Sequence, residues 1–230
     1  MAPKSTKFDL DFYETQGKKD IIFHGDAHFP KETAVLRLTK TDDHDIPLQN
    51  SSGRVVYSKP VAFSHAAEFD TTIKFNITPG TNSSYHADGL VFFIVPHGHA
   101  YPKEPHGGNL GIFEKWGKTS HVFAAGFDIY PRNPGYITLG IYIQSREEPV
   151  ESVQVPASFI GKDLTLSISY DSSTHVISVS ATDDNETYPV SCEHDLSHLL
   201  PPSVVVGLAS STGDYVALHD VNSWTFNSTA

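Results

Sequence analysis

An intramolecular disulfide is excluded from the start, because the 230-residue chain has a single cysteine, Cys192. Its stability must come from packing rather than crosslinks. Basic residues are also scarce: 16 Lys and Arg stand against 27 Asp and Glu, a formal net charge of −11. No Lys/Arg cluster interrupts that balance, which argues against nucleic acid and against an anionic membrane surface as partners. No apolar run approaches the ~18 residues that a membrane helix needs. Helical periodicity is almost absent, and so is any Gly/Ser/Pro linker between two patterned halves. One domain over residues 1–230 is therefore expected. The opening Met1 to Lys7 lacks the apolar core of a secretory signal. The expectation is either a cytosolic chain or a mature domain with a replaced start.

What is present is strand pattern. Hydrophobic residues make up 39% of the chain and aromatics 11%, enough to bury a substantial core. Leu164, Leu166, Ile168 and Tyr170 alternate with Thr165, Ser167 and Ser169. The turn Asp171 to Thr174 follows and Val176–Ala181 returns, which predicts a hairpin. Phe69, Thr71, Ile73, Phe75 and Ile77 form a second alternating set ending at Pro79-Gly80. Further strands are predicted at Phe8–Phe12, Ile21–Ala27, Val35–Thr39, Val55–Phe63, Val122–Asp128, Thr138–Gln144, Val204–Ser210 and Val216–Phe226. So many strands in one domain imply two packed antiparallel sheets, an all-β sandwich. Only Leu196 to Leu200, before Pro201-Pro202, suits a short helical turn.

The most informative segment is Ala87-Asp88-Gly89 followed by six uninterrupted apolar residues, Leu90 to Val95. Such a run predicts a strand buried on both faces. A carboxylate at its tip is either a loop cap or a binding group held on a rigid support. Five Asn-x-Ser/Thr sequons occur, at Asn50, Asn76, Asn82, Asn185 and Asn227. Chance would supply about one or two at this composition. The excess leans towards a glycoprotein in a secretory, vacuolar or extracellular setting, with unused sequons as the alternative.

Several blocks, in this order, resemble the legume (L-type) lectins over almost the whole chain. They are the Phe8–Ile22 strand pair leading to Gly25-Asp26-Ala27, then Gly53 to Val61, then Ala87 to Phe93. Gly107 to Phe113, Phe127 to Tyr130, Val206 to Gly213 and His219 to Phe226 follow. The resemblance implies a concanavalin-type jelly-roll sandwich with a flat back sheet, a curved front sheet and a small top sheet. It implies sugar binding in loops on the concave side, in which a carboxylate, a glycine N–H and an asparagine amide meet the sugar hydroxyls. Carried onto this chain, Asp88 matches the carboxylate, Gly108 the N–H donor and Asn133 the amide, with Asp214 and Tyr215 in the variable specificity loop. Tyr130 and Tyr215 suit either a stacking platform or half-buried aromatics of the sandwich. A homodimer through the back sheet, and glycans or glycoproteins as partners, are further implications.

The family's metal loop departs here. Its Glu position is Gly126, its second Asp is missing from a shortened loop, its His position is Thr138, and Asn133 lies one residue late, followed by Pro134. Asp128 remains. One carboxylate cannot do the work of three, so the Ca²⁺ and Mn²⁺ expected for the family are predicted to be lost. That leaves open the cis or trans state of the Ala87–Asp88 bond, cis in the family. Arcelins and the α-amylase-inhibitor type share the truncated loops, which sets a defence or storage role beside glycan binding. His97-Gly98-His99 with His106 reads as solvated loop histidines, since no carboxylate stands at ligand spacing. Glu68-Phe69-Asp70 has only the first half of a sandwich-glycosidase spacing, because Ile73 stands where another carboxylate is needed. The chain is therefore not expected to be an enzyme.

Overall fold

Two antiparallel sheets pack face to face in the computed structural model, which describes residues 5–13, 19–31, 33–80, 85–114 and 119–230. The back sheet runs in the order β1 (Ser5–Asp11), β15 (Ala217–Thr229), β6 (Glu68–Pro79), β11 (Asp163–Asp171), β12 (Val176–Thr182) and β13 (Thr187–Glu193). Short β3 (Leu36–Arg37) adds to β15. The front sheet runs β10 (Glu151–Pro156), β9 (Tyr136–Ile143), β8 (Phe123–Asp128), β7 (Gly89–Pro96), β14 (Ser203–Ser211), β4 (Ser52–Tyr57) and β2 (Ile21–Gly25). Short β5 (Val61–Ala62) joins β14. Both short strands extend the two large sheets; they do not form a separate sheet.

The alternation read from the sequence becomes the register of the back sheet. Trp224 pairs with Ile73, Ile73 with Leu166 and Leu166 with Ala181. All four side chains are fully buried, a row across four strands that faces the other sheet. The adjacent row of Thr72, Ser167 and Ser180 faces outward. Asp171 closes the predicted hairpin turn by accepting from the N–H groups of Ser173 and Thr174.

The front sheet explains the six-residue apolar run. On β7, Leu90, Phe92 and Ile94 point into the core between the sheets. Val91, Phe93 and Val95 point the other way, into a second core with Leu110, Ile112, Phe113, Val122 and Tyr142. Residues 110–113 thus form a lid of loop over the outer face. Burying Phe92 and Phe93 contributes about 2–3 kcal/mol each. A strand packed on both faces is a rigid mount for whatever stands at its end.

Two predicted boundaries differ. The single strand expected over Val55–Phe63 is broken after Tyr57, because Pro60 cannot donate to a ladder. β10 and β13 are strands that the sequence pattern does not announce. The helical turn appears as a 3-10 turn, Leu196–His198, capped by Asp195. The sequon at Asn82 lies outside the described residues.

Candidate functional site

Four segments converge at the open end of β7. The N–H of Asp88 donates to Ser211 O at 2.9 Å, and Asp88 O accepts from the Ile129 N–H at 2.8 Å. Ser210 Oγ donates to Gly89 O at 2.6 Å. The strand tip is therefore clamped between β14 and the end of β8. The Ala87–Asp88 peptide is cis. Beside it stands the 3-10 turn Gly107–Asn109, tied to the end of β14 and the residue after it by Ser211 Oγ to Gly107 O and by Gly107 N–H to Thr212 O. The next loop enters through Asn50, whose N–H donates to Gly213 O at 3.4 Å.

These segments enclose a cleft of about 580 Å³, lined among others by Asn50, Asp88, His106, Gly108, Tyr130 and Asp214. The Asp88 side chain is only 3% exposed, and its Oδ2 has no hydrogen-bond partner within the protein. A Cβ on Gly213 would stand 3.0 Å from that oxygen, so the bare backbone there leaves it room. Burial first and the neighbouring Asp128 second push the Asp88 carboxyl up, against the pull of Arg146 and Arg132, to about 7. Tyr130 and Tyr215 meet at 5.9 Å between ring centroids, and Tyr85 meets Tyr215 at 5.4 Å. Tyr85 and Tyr130 are exposed and Tyr215 is half-buried, so the three rings form an aromatic edge beside the cleft.

Asp88, Gly108, Tyr130 and Asp214 thus share one cleft, with Tyr215 stacked on its margin. Asn133 does not join them. It is exposed in the turn before β9, where its carbonyl accepts from the Tyr136 N–H at 3.1 Å. Two asparagines do line the cleft: Asn109, whose amide donates to Glu104 O at 2.7 Å, and Asn50, which the sequence marks only as a sequon. Two arginines that the sequence pattern does not single out also stand here, Arg132 and Arg146. Arg132 Nη1 donates to Asp128 Oδ2 at 2.6 Å, and Arg146 Nη2 lies 3.7 Å from the same oxygen. Their cue was a pair of cations near a lone carboxylate in a chain poor in cations.

The cations expected for a legume lectin do not fit these residues. Asp128 Oδ1 accepts the Tyr130 N–H and Oδ2 faces both guanidiniums, so neither oxygen is open. Gly126 packs against the β7 backbone, where a side chain would overlap Leu90 O. Thr138 Oγ1 accepts from Gln154 Nε2 at 3.1 Å. Among the described residues, no three His, Cys, Asp or Glu side chains converge as a metal would need.

The Legume lectin domain model matches residues 5–230. The chain belongs to the legume lectin family. Agglutinin-2 of Cladrastis kentukea is 33% identical over 240 residues, covering 97% of this chain and 81% of that one. The metal-free form of lectin I-B4 from Griffonia simplicifolia superposes with a TM-score of 0.85 at 32% identity, covering 97% of this chain and all of that one. Arcelin-5, a lectin-like defence protein from Phaseolus vulgaris, gives 0.82 at 26% identity, covering 97% and 98% of the two chains. Lectins bind carbohydrate without transforming it, and this family member is not an enzyme. The glycosidase spacing comes to nothing: Glu68 and Asp70 lie exposed on the outward face of β6.

Proposed function

We propose that the Asp88 cleft binds glycans and does so without a divalent cation. The observation that carries this reading is the buried, unpartnered Oδ2 of Asp88 facing a cleft with an aromatic edge. A sugar ring presents vicinal hydroxyls and one apolar face. Asp88 accepts from the hydroxyls, and the Gly108 N–H donates, being an amide early in a 3-10 turn that the turn itself cannot satisfy. Tyr130 and Tyr215 pack on the apolar face. The cleft runs from the 103–109 loop to Asp214 and exceeds what one hexose fills, which favours a complex glycan over a simple sugar.

A second reading is a lectin-fold defence or storage protein of the arcelin or α-amylase-inhibitor type that binds no simple sugar. The fold likeness to arcelin-5 and the displacement of Asn133 from the cleft favour it. A glycan array with wild type and Asp88→Ala separates the two. Binding that the substitution abolishes supports the first reading. Inertness to every glycan, with inhibition of a digestive amylase, supports the second.

The back sheet suits a homodimer. Ser167, Ser169, Ser178, Ser180 and Ser191 make a shallow outer face of small side chains across β11–β13, and a second copy pairing there would give avidity to a shallow site. Sedimentation velocity tests it. The exposed sequon asparagines Asn185 and Asn227 fit a secreted glycoprotein, and mass spectrometry of protein from its native source tests that.

A further inference from the structure

We propose that Arg132 and Arg146 do the work of the family's cations, their two guanidiniums holding the buried Asp128 beside Asp88 and fixing one wall of the cleft. This deepens the metal-independent reading above, but its test reads stability and titration rather than glycan binding, so either can fail alone.

Asp88 and Asp128 are each 3% exposed, and they stand at the paired ends of neighbouring strands, Gly89 opposite Asp128. Two carboxylates removed from water repel one another and need positive charge close by. Both guanidiniums face Asp128 Oδ2, so that oxygen is shared between two cationic groups much as a bridging carboxylate is shared between two metal ions. Two fixed positive charges then stand against two buried acids.

The chain turns sharply after β8, with Arg132 N–H donating to Tyr130 O at 2.7 Å, and this shortened turn delivers the Arg132 side chain four residues after Asp128. The Arg132 guanidinium also lies 5.6 Å from the Tyr130 ring centroid, so it steadies the aromatic edge of the cleft. Arg146 comes from the loop after β9, where Gln144 N–H donates to Val122 O. Its guanidinium fills the space beside the bare Cα of Gly108, a residue that lines the cleft. A metal ion would need several converging oxygens. A guanidinium brings its own charge and its own donors on a tether.

The test compares melting and the Asp88 titration midpoint, read by carboxyl NMR, in wild type, Arg132→Met, Arg146→Met, Arg146→Lys and the double Met variant. Wild type is expected to melt at the same temperature in EDTA as in Ca²⁺ plus Mn²⁺. The double Met variant is expected to melt about 6–12 °C lower. Arg146→Met is expected to move the Asp88 midpoint upward, and Arg146→Lys, which keeps the charge, to return most of that shift. Asp128→Asn in the double Met background, where the buried carboxylate has lost both cations, is expected to recover much of the lost stability, as coupled groups require. Metal-dependent melting of wild type would overturn the proposal. So would an Asp88 midpoint indifferent to the charge at residue 146. If the double variant fails to fold, the single Met and Lys variants at 146 decide between the same outcomes.

Discussion

The guanidinium of Arg146 lies where a side chain on residue 108 would be. Glycine at 108 therefore makes room for the arginine at a position that lines the cleft. Gly108→Ala is expected to push the guanidinium aside rather than move the backbone, because the obstructing group is the free end of a long side chain. The cost is then the weakened Asp128 pairing, about 1–3 kcal/mol. Urea unfolding of Gly108→Ala and of Gly108→Ala/Arg146→Met checks this. The two should be nearly equal, since the arginine's contribution is already lost in the first.

Asp88 gives the protein an unusual pH dependence. Its folded carboxyl is raised to about 7, above the ~3.9 of an unfolded chain. Between those values the folded state holds a proton that the unfolded state has released. Its contribution is fully present below about pH 4 and is lost as pH rises through 7, about 4 kcal/mol in all. Asp88→Asn is expected to remove this downward slope. Denaturant midpoints of both proteins from pH 4 to 8 measure it.

His219 acts in the opposite sense. It is fully buried on β15 with Nε2 unpartnered and Nδ1 3.3 Å from Thr39 Oγ1. Burial lowers its pKa to about 3, so the folded protein refuses a proton that the unfolded chain takes below about 6.5. Its contribution is present above pH 6.5 and is lost as pH falls towards 3. The His219 ring signals are expected to stay neutral at pH 4.5 by NMR. In Asp88→Asn, with the opposing slope gone, stability should fall more visibly from pH 6.5 to 4.

The cleft separates two asparagines. Asn50 lines it and Asn133 does not. For whichever glycan the array identifies, Asn50→Ala is expected to weaken binding by about 1–2 kcal/mol, roughly 5- to 30-fold. Asn133→Ala should leave affinity unchanged. Calorimetry of the two variants distinguishes them, and the reverse ranking would place the ligand elsewhere.

The strands with clean alternation were legible because their two faces meet different solvents: Leu166 faces the core and Ser167 faces water. β10 and β13 were not, and the reason is position. Each is a sheet edge with one ladder partner, β9 and β12 respectively, and each carries a proline that blunts the pattern, Pro156 and Pro189. The run from Leu90 to Val95 shows burial on both sides in its unbroken apolarity, although nothing in it says that residues 110–113 cover the outer face. The placing of Asp88 and Gly108 beside one cleft followed from the family blocks. The departure at residues 126–140 was visible as a loss of ligands, but what replaces them was not. Arg146 lies 18 positions from Asp128 and meets it only because β8 and β9 are paired.

The central claim is that the Asp88 cleft binds its glycan with arginines, not metals, in support. Titration calorimetry of the array-selected glycan, in EDTA and again in Ca²⁺ plus Mn²⁺, tests it most directly. Equal affinity in both, abolished by Asp88→Ala, is the result this account predicts. Binding that EDTA abolishes and Ca²⁺ restores would contradict it.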